Sequence, residues 1–305
     1  MNWQIDLRKR KSLQVFTVFG ILATSALSSL PAQAQDAPFK TIEPGVLTVA
    51  IASYMPYSGV IDGKLTGLDG DLVTAVAGKL GLTVKTRVSD FAGILAAVQT
   101  NRADIAVGSI GWTEARAKAG IFTDSPYYSN QVVLIRKDQN VTKIEDLEGL
   151  TVATGIGYSY IPAIQAIPNT TLKTYPTPAN MLEDLVAERV DAVFTDALVN
   201  IAYAKEKPGV LKAAPMTPPT EAQLKEHPDY KYLFPRPGGF YLNKDNTALE
   251  KAATDAIRGL YKDGTTESLL TKWGVENPDA WTTPSANVRD RVGIDRPEDW
   301  VPASK

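Results

Sequence analysis

Cysteine is absent from this chain of 305 residues, and histidine occurs once. The first absence excludes disulfides, a cysteine nucleophile, thiolate metal sites and a lipid anchor on an N-terminal cysteine. The second leaves His227 with no histidine partner for a metal. An excess of positive charge is also missing. The 32 Lys and Arg are outnumbered by 34 Asp and Glu, so there is no basic footprint for nucleic acid. Long apolar runs are scarce too. The one from Val15 to Leu30 is diluted by Thr17, Gly20, Thr24, Ser25, Ser28 and Ser29, below the standard of a good membrane-spanning helix.

What surrounds that run explains it better than a membrane anchor would. Arg8, Lys9, Arg10 and Lys11 precede it, and Pro31-Ala32-Gln33-Ala34 follows. Basic block, apolar stretch and small-residue site describe a secretory signal over residues 1–34, cleaved after Ala34. Its removal shifts the net charge from −2 to about −5. Roughly 270 residues remain, enough for one large or two ordinary domains whose core needs no covalent staple. A freely diffusing, monomeric periplasmic protein without cofactor or metal is expected.

Along the rest of the chain, strand and helix patterns alternate. Val46 to Ile51 is a short apolar, β-branched run, a buried strand. Asp71 to Leu80 carries a helical stripe, 82–88 alternates with period two, Phe91 to Gln99 is helical, and Asp104 to Val107 is a strand. A second series begins at Ile144: strand 150–153, the loop Thr154-Gly155-Ile156-Gly157, a short helix from Tyr158, a helix over 180–188 and a strand over 192–194. This order predicts an α/β fold with largely parallel sheets. The halves echo each other, since Leu95-x-x-Val98-x-x-x-Arg102-Ala103-Asp104 matches Leu182-x-x-Leu185-x-x-x-Arg189-Val190-Asp191. Any two α/β units share some such pattern, but the matched Arg-x-Asp turns favour two similar lobes. The proline-rich stretch 208–237 reads as loop and turn. Residues 246–272 read as helices, and the polar tail from Asn277 is expected to wrap a surface or fray.

Several short signatures stand in a specific order: Tyr54-Met55-Pro56-Tyr57; Gly67-Leu68-Asp69-Gly70-Asp71-Leu72; 94–109 ending a strand; Thr113-Glu114-Ala115-Arg116; Phe122 to Tyr128; Glu145 to Gly149; Gly155-Ile156-Gly157; Val190 to Asp196; and Tyr261-Lys262-Asp263-Gly264 with Trp273-Gly274. Each is weak alone. Together, over about 41–274, they make the chain resemble the type II periplasmic amino-acid-binding proteins, solute-binding family 3, which serve ABC importers. The resemblance implies a two-lobed α/β fold with two hinge strands and the ligand in the interlobe cleft. Lobe 1 would comprise 41–130 and 236–275, lobe 2 131–235, and 276–305 would form a C-terminal tail. The crossings would fall near 129–136 and 235–242. The implied partners are a small amino-acid-like ligand and the membrane permease of an importer.

A free amino acid carries a carboxylate and an ammonium, and burying either unpaired costs several kcal/mol. The planar fork of arginine suits the carboxylate, and Arg116 occupies the family position with that role; otherwise it is a solvated helix residue. Gly157, in a glycine turn after a strand, would add its N–H by the same resemblance, or be no more than a turn. Asp196 matches the ammonium-binding carboxylate and ends a strand, where ligands of open α/β sheets gather; it could instead cap a helix. Ser109 would supply a hydroxyl or carbonyl. Gly111 stands where the family commonly has Ser or Thr, leaving only a backbone N–H. Tyr54 and Phe91 match positions that sandwich a ligand side chain. Ile51 replaces the carboxylate of basic-amino-acid binders, and no second Arg or Lys awaits an acidic side chain, so a neutral side chain is favoured. Trp112 remains unassigned.

Two other functions fit the same residues. A periplasmic enzyme on this fold, a dehydratase acting on prephenate-like acids, would need a positioned acid or base. His227 lies in Glu226-His227-Pro228-Asp229, a turn setting, so carboxylate or lysine chemistry would have to serve. A ligand sensor would have to act through a separate partner.

Overall fold

The computed structural model describes residues 38–129, 131–234 and 238–305. The expected signal segment lies outside them. Among the described residues no helix is long and apolar enough to cross a membrane.

The chain begins with strand β1 (Val46–Ile51) and a hairpin of β2 (Gly59–Ile61) and β3 (Lys64–Thr66). Helix α1 (Leu68–Lys79), β4 (Thr83–Val88), α2 (Phe91–Gln99), β5 (Ile105–Val107), α3 (Glu114–Ala119) and β6 (Gly120–Phe122) follow. Then come β7 (Val132–Arg136), β8 (Thr151–Gly155), α4 (Ile161–Gln165), β9 (Thr171–Tyr175), α5 (Pro178–Val186), β10 (Ala192–Phe194), α6 (Ala197–Glu206), β11 (Leu211–Pro215) and α7 (Glu221–Glu226). The series closes with β12 (Tyr241–Asn243), α8 (Thr247–Lys262), α9 (Thr265–Lys272) and α10 (Pro278–Thr282).

Ten strands form two five-stranded mixed sheets, ordered β4-β1-β5-β12-β6 and β11-β7-β10-β8-β9. The parallel pairs are β1–β4, β1–β5, β8–β9 and β8–β10, while β7 and β12 run antiparallel to their neighbours. The chain leaves the first sheet after β6 and returns to it with β12, so it passes between the sheets twice. Each sheet is packed on both faces, which is why β1, β5 and β10 read as continuous apolar runs instead of alternating. Helix α8 packs by Leu249, Ala253, Ala256, Ile257 and Leu260, one face at helical spacing.

The repeated Arg-x-Asp turn has a physical basis. The carboxylate of Asp104 accepts the N–H of Ile42 and of Thr48 in β1, both at 2.8 Å, and its own N–H donates to Thr48 O. Asp191 does the same in the second sheet. It accepts the N–H of Thr151 at 2.9 Å and donates its own to Thr151 O. In each half an aspartate just before the strand ties it to its parallel neighbour and satisfies a backbone donor that no ladder serves.

Two regions carry more order than their composition suggests. The proline-rich stretch holds β11, α7 and a 3-10 turn over Pro228–Leu233. β11 is an edge strand, where Pro215 costs no ladder bond. α7 starts on a capping box between Thr220 and Gln223. The tail also docks. Trp281, Trp300 and Ala303 are buried, and Tyr128 Oη donates to Ala303 O at 2.7 Å.

Candidate functional site

A cavity opens where elements of both sheets meet. Its walls include Tyr54, Asp69, Phe91, Ser109, Gly111, Arg116, Tyr158, Tyr160 and Asp196, and the tail contributes Ser285. Of the seven residues singled out in the sequence, six line it; Gly157 is not among the lining residues, and its carbonyl meets Arg116, which is.

Arg116 is set by the start of α3. Thr113 caps that helix, its hydroxyl accepting the Arg116 N–H at 3.2 Å. The guanidinium then donates to Gly111 O at 2.7 Å and to Gly157 O at 3.1 Å, and lies 5.0 Å above the Phe91 ring. Two of its five donors are thus used in holding it. Burial lowers its pKa, and the charge of Asp196 works against that fall.

Asp196 sits at the N-cap of α6, yet its side chain makes no cap bond. Its carboxylate instead accepts Tyr54 Oη at 2.8 Å and Tyr160 Oη at 3.1 Å. Burial raises its pKa, while Tyr54, Tyr160, Ser109 and the Arg116 charge pull it back. The carboxylate is thus turned from its own helix toward two hydroxyls at the cavity wall.

Ser109 adopts a left-handed φ of 52°, unusual for a side-chain-bearing residue. Asp69 holds this turn. Its Oδ2 accepts the N–H of Gly108 at 3.0 Å and of Ser109 at 2.5 Å, while Oδ1 is buried with no hydrogen-bond partner. Gly111 contributes the carbonyl that orients Arg116. Gly157 has φ +77°, in the region that favours glycine, and it presents its carbonyl to Arg116. Among the described residues its N–H has no acceptor. Ile51, fully buried, lies outside the lining. Trp112 is buried beside Ile110, Phe122 and Tyr241.

The sequence reading missed Asp69, Tyr158 and Tyr160. Asp69 belonged to a quoted signature but received no role. The two tyrosines follow a glycine turn at alternate positions, and this aromatic pair in a polar loop was the available signal.

Asp69 gives a pH prediction. Burial pushes its pKa up to about 6 despite the Ser109 N–H. A carboxyl that binds its proton more tightly folded than unfolded adds stability at low pH and loses it as pH climbs through 6. Relative to Asp69→Asn, the wild type should lose roughly 2.4 kcal/mol between pH 4 and pH 7, at 1.36 kcal/mol per pKa unit. Urea unfolding of both proteins across that range checks this; parallel profiles would show that Asp69 does not titrate there.

No group of three or more His, Cys, Asp or Glu among the described residues could hold a metal ion. The lone histidine, His227, stacks on Tyr230 and lies outside the cavity lining.

The chain is also similar to known proteins in sequence and fold. The family model of bacterial extracellular solute-binding proteins, family 3, matches residues 47–276. The L-cystine-binding protein TcyJ of Escherichia coli (strain K12) is 28% identical over 239 residues, covering 77% of this chain and 84% of that protein. An ancestral arginine-binding protein bound to glutamine superposes with a TM-score of 0.66 at 28% identity, covering 77% of this chain and 100% of that one. The ancestral amino acid-binding protein AncCDT-1, a precursor of cyclohexadienyl dehydratase, gives 0.63 at 27% identity, over 75% and 95% of the two chains.

Proposed function

Since this chain belongs to family 3 of the bacterial extracellular solute-binding proteins, we propose that it captures a small neutral amino acid and hands it to the permease of an ABC importer. The observation that carries this reading is the pairing of Arg116 and Asp196 in one cavity, their charges acting on each other. A zwitterion presents a charge to each, and neither ligand charge is then buried alone.

The export reading completes the proposal. Residues 1–34 direct the chain to the periplasm and are removed, with no lipid anchor, and the mature protein acts as a monomer. Residues 41–130 and 236–275 act as one lobe and 131–235 as the other, while the tail 276–305 is fixed to the first sheet. Arg116 and Asp196 come from different sheets, so one ligand molecule engages both lobes and favours the closed state. Four bonds among the described residues already join the lobes: Tyr54 Oη to the Asp196 carboxylate, Asp196 N–H to Tyr54 Oη, Leu198 N–H to Tyr57 Oη, and the Arg116 guanidinium to Gly157 O.

Binding, not turnover, is the proposed activity. The cavity is lined by two carboxylates, Asp69 and Asp196. Each is engaged by protein donors, and among the described residues neither histidine nor lysine joins them. Conversion of prephenate or arogenate by the purified protein would reverse this conclusion.

The test is Asp196→Asn, which keeps the shape and one acceptor but removes the charge. Affinity for neutral amino acids should fall at least tenfold, about 1.4 kcal/mol or more, while the same acids lacking the amine lose far less. Equal losses for both ligand types, measured by calorimetry, would place the ammonium elsewhere.

A further inference from the structure

Tyr54 and Phe91 are the walls expected to hold a ligand side chain between them. The Tyr158 ring touches both. Its centroid is 6.0 Å from that of Tyr54, nearly perpendicular at 86°, and 5.3 Å from that of Phe91 at 61°. A residue from the second sheet's glycine turn therefore stands where the ligand's side chain was expected. We propose that Tyr158 sets the size limit of the binding site, filling its side-chain end and admitting only short side chains.

Three observations support this. The ring has a built seat: a Cβ on Gly155 would lie 2.4–2.6 Å from three ring atoms of Tyr158, so only glycine at that strand end lets the ring lie there. The ring also packs against Tyr160, with centroids 6.5 Å apart. The free space left is small, about 60 Å³, well under half of the ~150 Å³ that accepts a benzene molecule in a protein interior. An aliphatic or aromatic side chain of four or more carbons could enter only by expelling Tyr158 from its contacts with both walls. A methyl or hydroxymethyl group need not.

This inference rests on the amino-acid reading above, and the test separates the two. Binding of glycine, alanine, serine, leucine, phenylalanine and glutamine is measured by calorimetry on the wild type, Tyr158→Ala and Tyr158→Phe. The wild type should prefer alanine or serine over leucine and phenylalanine by at least tenfold. Tyr158→Ala should erase or invert that ratio through tighter binding of the large ligands. Tyr158→Phe, which keeps the ring and loses the hydroxyl, should retain the wild-type order. An unchanged ratio in Tyr158→Ala, or wild-type binding of phenylalanine as tight as that of alanine, overturns the size limit and leaves the amino-acid reading standing. A panel in which nothing binds to any of the three proteins overturns both.

Discussion

Arg116→Ala should abolish detectable amino-acid binding and leave the protein folded. Removing one partner of a buried charge pair costs about 3–5 kcal/mol, which is more than a hundredfold in affinity. The ligand carboxylate would then face only backbone donors such as the free N–H of Gly157. The fold should tolerate the change because the Arg116 side chain, among the described residues, bonds two carbonyls at the cavity wall, Gly111 O and Gly157 O, and its backbone bonds do not depend on it. Arg116→Lys should recover little, since an ammonium cannot make the two parallel bonds of a guanidinium. Calorimetry on the best ligand measures the loss; an unchanged affinity would remove Arg116 from the site.

Arg291→Ala should be the most destabilising single change outside the cavity. Arg291 is 1% exposed and donates to Thr123 O at 2.9 Å, Phe122 O at 3.3 Å and Asp295 Oδ2 at 2.8 Å. Its guanidinium lies 5.3 Å from the Trp300 ring centroid. Nearby, Asp124 accepts Trp300 Nε1 at 3.0 Å and pairs with Arg258 at 2.6 Å, and Arg296 reaches Glu250 at 2.9 Å. The tail is thus held by buried charges bonded to the first sheet and α8. Taking Arg291 away leaves the Asp295 carboxylate without its buried partner and Thr123 O without its donor, while Phe122 O keeps Arg296; the loss is about 3–5 kcal/mol. For a domain of this size that corresponds to roughly 6–20 °C in Tm. Thermal unfolding measures it. A shift within 2 °C would mean the tail is an ornament and not part of the core.

How much of this was legible beforehand depended on whether the cause was local. β1, α2, β5 and β10 were readable because apolar period and short turns set them within a few residues. The Arg-x-Asp echo was visible as letters, but its cause, an aspartate satisfying the N–H of a parallel neighbour 40 or 56 residues earlier, was not. Prolines concealed β11, since an edge strand tolerates what a central one does not. Tail docking was concealed because Arg291 and Arg296 look like surface charges until their buried partners are in place. The ordered signatures did single out Arg116 and Asp196, which line one cavity. The Tyr54 and Tyr160 hydroxyls on Asp196 were not legible, as they arrive from 142 and 36 residues away. Tyr158 was the costliest omission, for it occupies the space assigned to the ligand's side chain.

The most direct test is a crystal structure of the protein with the amino acid it retains through gentle purification, identified by mass spectrometry. The predicted result is a neutral amino acid whose carboxylate lies bidentate on Arg116 and whose ammonium lies within hydrogen-bond distance of Asp196. A ligand seated away from these two residues, or one lacking an amine or a carboxylate, would contradict the assignment.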